Sequence, residues 1–304
     1  MKKHPFFRAI RHLLEYALAL PFFLIVPHLP RSWIRPLGKG LGLLSYRLIG
    51  RRRRIALDNL ELAYGPAMTE LERQTLVRQV FIHFATAALD FLWASRLSAQ
   101  TLGEFVEIDK DGLDLLKKAL DKGRGVLLLA FHMGHWELLP MVHGYYGIGQ
   151  LYGVARRLDN PYLDRRINAI RCRSGTKLIY KDRAASSILR ALKQNEIIGI
   201  GLDQNTSRGH VFVDFFGHPA ATTKALATFA LATGAPILSV VCLPLTNGRY
   251  RLYYGPEIEY QVSDDREKDI LELTQRCTSV IEKQIRKAPQ YWLWLHQRWK
   301  HQPS

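Results

Sequence analysis

Cysteine is nearly absent. The 304-residue chain has three, Cys172, Cys242 and Cys277, far apart and odd in number. No C-x-x-C pair occurs, which excludes a disulfide framework and fits a reduced, cytoplasm-facing compartment. Acidic residues are also short: 27 Asp+Glu against 43 Lys+Arg leaves a formal charge of +16. Such a surface attracts polyanions, meaning nucleic acid, anionic lipid or an acidic carrier protein. There is no H-E-x-x-H, no internal repeat, no low-complexity tract and no flexible linker. Gly38, Gly40 and Gly42 have no strand before them and no clear acidic ribose ligand after them, which argues against a dinucleotide fingerprint and for a tightly packed, membrane-proximal helix.

One long apolar run is present, over about residues 13–29, preceded by Lys2, Lys3, Arg8 and Arg11 and interrupted by Glu15, Pro21, Pro27 and His28. As a helix it reaches roughly 26 Å, slightly short of a ~30 Å hydrocarbon core. Arg31-Ser32-Trp33 is wrong for a cleavage site, so the run reads as an uncleaved anchor, either a short kinked span or a helix sunk into one leaflet. A plain amphipathic core helix is the alternative. Arg31, Arg35, Lys39 and Arg51–Arg54 load the far flank, as expected of a helix lying in an interface. The arginine run is either a solvated face or a lipid-headgroup contact. Residues 1–50 are therefore expected to form the anchor and membrane-proximal helix, and residues 51–304 the catalytic domain.

The remainder alternates. Residues 53–93 look helical, broken at Gly65-Pro66 and restarted by a capping box from Thr69 to Glu72. Strands are expected at 105–108, 126–131, 150–154, 177–180, 197–202, 211–215, 236–241 and 250–254, with helices at 112–120, 161–171, 184–193, 223–233 and 268–287. This predicts an α/β fold with a mixed, largely parallel central sheet flanked by helices.

Open α/β sheets place their chemistry at the carboxyl ends of strands. The stretch VLLLAFHMGHWELL, residues 126–139, puts His132 at such an end and Glu137 five residues on. That offset is about 140° around a helix and opposite faces in a strand, so the two meet only if the chain turns between them; Gly134 makes a turn easy. An imidazole held by a carboxylate takes a proton from a hydroxyl. His132 can equally be a polar strand cap, or join His135 and Glu137 as metal ligands, although H-x2-H-x-E is not a usual zinc spacing. Two further strand ends release polar residues: Arg156, Arg157, Asp159 and Asn160 in one, Asp203, Gln204 and Asn205 in the other. A shared cleft would use Arg156, with Arg157, for an anionic group, and Asp203 and Gln204 for orientation. The apolar stretch 211–223 can line a hydrocarbon channel or be a core strand and turn. The aromatic and basic stretch 291–300 suits a membrane interface or stacking on nucleic acid.

These residues carry a resemblance. His132-x4-Glu137 resembles the H-x4-D/E motif of glycerolipid and lipid A acyltransferases. With Arg156-Arg157-Leu158-Asp159-Asn160-Pro161, Gly201-Leu202-Asp203-Gln204, residues 211–217, Ala221-Thr222-Thr223 and the ending Trp294-Leu295-His296-Gln297-Arg298-Trp299-Lys300, it is similar to the late acyltransferases of lipid A biosynthesis over about residues 13–300. Mycobacterial phosphatidylinositol-mannoside acyltransferases carry a similar set. Two positions depart from the common pattern: Glu137 where many relatives have Asp, and Gln297 where Arg is frequent.

The resemblance implies a glycerolipid-acyltransferase-like fold and an inner-membrane enzyme with its active site facing the cytoplasm. It would move a fatty acyl chain from an acyl-carrier-protein thioester to a hydroxyl of a phosphorylated lipid A precursor, with no cofactor and no metal. His132 would be the general base and Glu137 its orienting carboxylate, with Arg156, Asn160, Asp203 and Gln204 at the substrates. The residues agree: the donor carrier is acidic, the acceptor anionic, and no Cys or Ser nucleophile stands beside His132. Direct attack needs a base, an oxyanion donor and a dry acyl pocket; N–H groups near Gly134 are candidates for the donor. A metal-dependent hydrolase remains as a competing reading. Nucleic acid is not expected as a partner, because it has no use for an apolar anchor.

Overall fold

The computed structural model describes residues 5–180 and 184–303; Lys2 and Lys3 of the basic N-terminal flank lie outside them. Four helices come first: α1 (Pro5–Ile25), α2 (Arg31–Leu48), α3 (Gly50–Tyr64) and α4 (Glu70–Ala94). The seven-stranded sheet follows, in the order β1-β9-β8-β2-β5-β3-β4. Its strands are β1 (Val106–Ile108), β2 (Val126–Ala130), β3 (Leu151–Ala155), β4 (Lys177–Tyr180), β5 (Ile197–Gly201), β8 (Ile237–Pro244) and β9 (Tyr250–Glu257). A separate hairpin is made of β6 (His210–Phe215) and β7 (His218–Thr223). The connecting helices are α5 (Lys110–Leu120), α6 (Leu139–Tyr146), α7 (Pro161–Cys172), α8 (Ala184–Lys193), α9 (Ala225–Thr233) and α10 (Arg266–Lys287). Within the seven-stranded sheet pairing is parallel except between β8 and β9, so the expected mixed, largely parallel sheet is what forms.

β2 is the central strand, parallel to β5 on one side and β8 on the other. Its alternate side chains enter different cores. Leu127 and Leu129 join the layer under α3, α4, α8, α9 and α10, whereas Val126 and Leu128 join the layer under α5 and α6. All four are essentially fully buried, each worth roughly 1.5–3 kcal/mol of apolar burial. That two-sided burial is why the strand reads as a continuous apolar run. The Thr69–Glu72 capping box forms as expected and starts α4, whose buried side chains make it a core helix.

α1 carries the apolar run. Leu13, Leu14, Leu18, Phe22 and Ile25 are exposed on one side, whereas His12, Glu15 and Tyr16 face the protein. α2 packs on α4 where Gly38 and Gly42 lie against Thr86 and Ile82. A Cβ on either glycine would sit 2.3–2.4 Å from those residues, so the helices approach this closely only without side chains there.

The expected channel lining at 211–223 takes the other form open to it. It is a hairpin with Phe215, Ala220, Ala221 and Thr222 closed into the core. Arg298 donates to Ala221 O at 2.8 Å and the Trp299 indole to Phe215 O at 3.3 Å, fastening the hairpin to the C-terminal segment.

Candidate active site

After β2 the chain makes a tight excursion in which the backbone donors of His132, Gly134 and His135 are tied to other elements. His132 N–H donates to Asp203 Oδ2 at 2.8 Å, Gly134 N–H to Tyr291 O at 2.8 Å and His135 N–H to Cys242 O at 2.7 Å. Leu293 N–H returns a bond to His132 O at 3.0 Å, and His83 Nε2 lies 3.0 Å from Gly134 O. Gly134 is in the left-handed region at φ +62°, and a Cβ there would lie 2.0 Å from Cys242 O. Only glycine fits this wedge between β8 and the C-terminal segment.

Asp203 follows β5, the neighbour of β2, and is buried. Its Oδ1 is 2.8 Å from His132 Nδ1, and its Oδ2 accepts both the His132 backbone N–H and the Trp292 indole N–H, at 2.8 Å each. Burial pushes the Asp203 carboxyl up, but the His132 ring, the two His132 donors and the indole outweigh it and hold the pKa below the ordinary value. The carboxylate fixes a proton on Nδ1. Nε2 is then the acceptor nitrogen, and the exposed Gln204 amide lies 3.3 Å from it. The imidazole is about a quarter exposed, so a hydroxyl can reach it.

The carboxylate on the imidazole is therefore Asp203, and the expected hydrogen bond from His132 to Glu137 does not form. The chain does turn at Gly134, but a 3-10 turn at Trp136–Leu138 follows and carries Glu137 towards α7. There the Arg171 guanidinium grips it with two bonds, Nε at 2.7 Å and Nη2 at 2.5 Å. Trp136 links the two carboxylate systems: its ring packs edge-on to His132 at 5.1 Å and its N–H donates to Glu137 at 3.2 Å.

Two expected acceptor contacts are also placed differently. Asn160 is buried and its amide is committed to structure. Its oxygen caps α7 through Tyr162 N–H and Leu163 N–H, and its nitrogen donates to His12 O and Glu15 on α1. Arg156 is exposed and reaches Asp159 of its own loop at 3.5 Å, while Arg157 stacks on Tyr180. His135 does not join His132 and Glu137 as a ligand set. It is buried against Tyr250, and burial drives its pKa down to about 3.

Arg171, Trp136 and Trp292 were not singled out individually for the site from sequence. Arg171 closes α7 with no distinguishing local pattern; Trp292 lies in the aromatic stretch read as a membrane or nucleic-acid surface. Trp292, Trp294 and Arg298 of that stretch are instead fully buried, forming the floor behind Asp203.

Residues 1–301 match the family described as bacterial lipid A biosynthesis acyltransferase. The chain belongs to this family. It is 30% identical over 283 residues to the lipid A biosynthesis lauroyltransferase of Escherichia coli K12, covering 92% of this chain and 89% of the relative. It is 28% identical over 270 residues to the palmitoleoyltransferase of the same organism, covering 88% and 85%. A phosphatidylinositol mannoside acyltransferase of Mycolicibacterium smegmatis is 30% identical over 213 residues, 68% of this chain and 67% of the relative. The enzyme is thus an acyltransferase, and His132 and Asp203 meet where its strands β2 and β5 release the chain.

Proposed function

We propose that this acyltransferase moves a fatty acyl group from an acyl-carrier-protein thioester to a hydroxyl of a lipid A precursor, at the cytoplasmic face of the inner membrane. The observation that carries the reading is the 2.8 Å bond from the partly exposed His132 ring to buried Asp203. His132 Nε2 takes the hydroxyl proton as the oxygen attacks the thioester carbonyl. Asp203 stabilises the imidazolium, and the carbon–sulfur bond breaks as the carrier thiolate leaves and collects that proton. The backbone N–H groups of Gly134 and His135 are donated within the fold, so we assign the oxyanion to the Gln204 amide beside Nε2. Glu137 acts through Trp136 and Arg171, holding the wall of the site.

The exposed apolar side of α1 supports immersion in the bilayer, and the +16 charge supports both an acidic carrier and an anionic acceptor. The mycobacterial relative supports a second acceptor class, another phosphorylated glycolipid. Mass spectrometry of host lipid A with the wild-type chain, with His132→Ala and without the chain tests the reading. Loss of one acyl mass in the last two cases is expected. An unchanged lipid A in the absence of the chain transfers the assignment to the other acceptor, and normal acylation by His132→Ala removes the base.

A further inference from the structure

α1 is fastened to the catalytic domain at both ends of its apolar run. The first fastening is at His12, Glu15 and Tyr16. The Asn160 amide donates to His12 O at 2.8 Å and to Glu15 at 3.0 Å, Arg166 Nε donates to the Tyr16 hydroxyl at 3.1 Å, and the Tyr16 ring lies 5.5 Å from that of Tyr162. The second follows the last turn of the helix. Val26 is buried with Ile34 of α2 and Leu89 of α4, the Trp93 indole donates to Leu29 O at 3.0 Å, and Arg96 donates to Pro27 O at 3.2 Å.

Together the fastenings limit where α1 can go. From His12 to Val26 the chain rises roughly 20 Å, against ~30 Å of hydrocarbon to be crossed. Both ends of that length sit among charged groups that keep to water or headgroups: exposed Arg165 and Arg166 beside the first, exposed Arg96 and His28 beside the second. One domain cannot hold a helix at both ends and also have a bilayer between them. The helix is two-sided as well. Phe7, Ile10, Leu14, Leu18, Phe22 and Ile25 recur at steps of three and four and are exposed, whereas His12 and Tyr16 lie on the opposite side, against α7. One apolar stripe along a helix suits an interface, whereas a spanning helix is apolar all round. The exposure also continues past the second fastening, where Trp33, Leu37, Leu44 and Leu48 make one exposed stripe on α2. A spanning α1 would leave that stripe in water.

We propose that α1 does not cross the bilayer but lies along one leaflet with its stripe immersed, so that the start of α1 and the catalytic domain are on the same side of the membrane. The first fastening is at the start of α7, which follows β3 at the carboxyl edge of the sheet, the edge that bears His132. The immersed helix is thus attached where a membrane-bound acceptor must arrive. The proposal rests on the membrane placement in the functional reading and not on its chemistry.

Single cysteines are placed at Arg8 and at Asp114 of α5 in a Cys172→Ser chain, whose other cysteines, Cys242 and Cys277, are buried. Bacterial cells producing each chain are treated with a membrane-impermeant maleimide before and after the inner membrane is opened. Labelling of both sites only after opening is expected. Labelling of Arg8→Cys in intact cells, with Asp114→Cys protected until opening, overturns the proposal. Nitroxide labels at Ile10, Leu18 and Ile25, one at a time, on the full-length protein in anionic vesicles give a second readout, which decides alone if Arg8→Cys is unlabelled throughout. The three should report one shallow depth. A Leu18 label far deeper than the other two, or all three in water, overturns the proposal. Fractionation keeps the two readings apart. A chain in the soluble fraction removes the membrane placement and the proposal with it, whereas an unchanged lipid A leaves the labelling result standing.

Discussion

Asp203→Asn is the most discriminating change at the site. Oδ2 of Asp203 receives two donors, the His132 backbone N–H and the Trp292 indole, while Oδ1 receives one ring nitrogen. An asparagine has one acceptor oxygen, and it must stay on the two-donor side. Its NH₂ then faces His132 Nδ1 and can be satisfied only if Nδ1 is unprotonated, which moves the ring proton to Nε2. The nitrogen that must accept the hydroxyl proton becomes a donor. An Asp-to-Asn change that forces the wrong tautomer costs a serine protease about 10⁴ in kcat, or about 5 kcal/mol of barrier, and a loss of that order is expected here. The assay is turnover of acyl-carrier-protein thioester with acceptor in detergent, followed by mass spectrometry, with thermal melting alongside. The variant should stay folded, because every backbone and indole donor keeps its acceptor. A folded Asp203→Asn enzyme within tenfold of wild-type turnover refutes the reasoning.

Glu137→Gln should lower turnover far less than Asp203→Asn, because Glu137 touches His132 only through Trp136. Equal losses in two folded variants would restore Glu137 as the direct orienting group. Arg171→Ala strands a largely buried carboxylate and should cost about 1–3 kcal/mol, part of which Glu137→Gln recovers in the double variant; melting of the four proteins checks it. Acid should destabilise the fold before it protonates Asp203. Burial lowers His83 and His143 to about 4 and His135 to about 3, so below pH 6.5 the unfolded chain binds protons that the folded one does not. Stability then falls as pH falls, by about 4 kcal/mol for the three at about pH 5.5, whereas the depressed Asp203 acts only below the carboxylate range. A melting temperature flat between about pH 7.5 and 5.5 would contradict this.

Much of the fold was legible because its signals are local. The two-sided apolar run of β2, the Thr69–Glu72 box and the apolar stripe of α10 each declare themselves within a few residues. β7 did not, since His-Pro-Ala-Ala-Thr-Thr has no alternation. It is a strand because Phe216 and Gly217, both at positive φ, make a two-residue turn that pairs it with β6. His132 was legible as a strand-end histidine sharing a cleft with Asp203, but which carboxylate holds its ring was not. Glu137 is near in sequence and was assigned the role, whereas Asp203 is brought in by the neighbouring strand, a relation that sheet order decides. Asn160, a residue of a family motif, is used by the fold as a helix cap and a tie to α1, which no local pattern announces.

The wedge at Gly134 also sets a schedule. The loop bearing His132 is fixed by Cys242 O and Tyr291 O, and Asp203 is fixed by the Trp292 indole. When residues 5–180 have left the ribosome, α1 and β2 are available, but none of these three supports has been made. The site therefore closes only when the segment around Tyr291–Leu293 docks. A nascent or interrupted chain lacks these supports for His132 and Asp203, so on the proposed mechanism the order of synthesis alone delays acyl transfer.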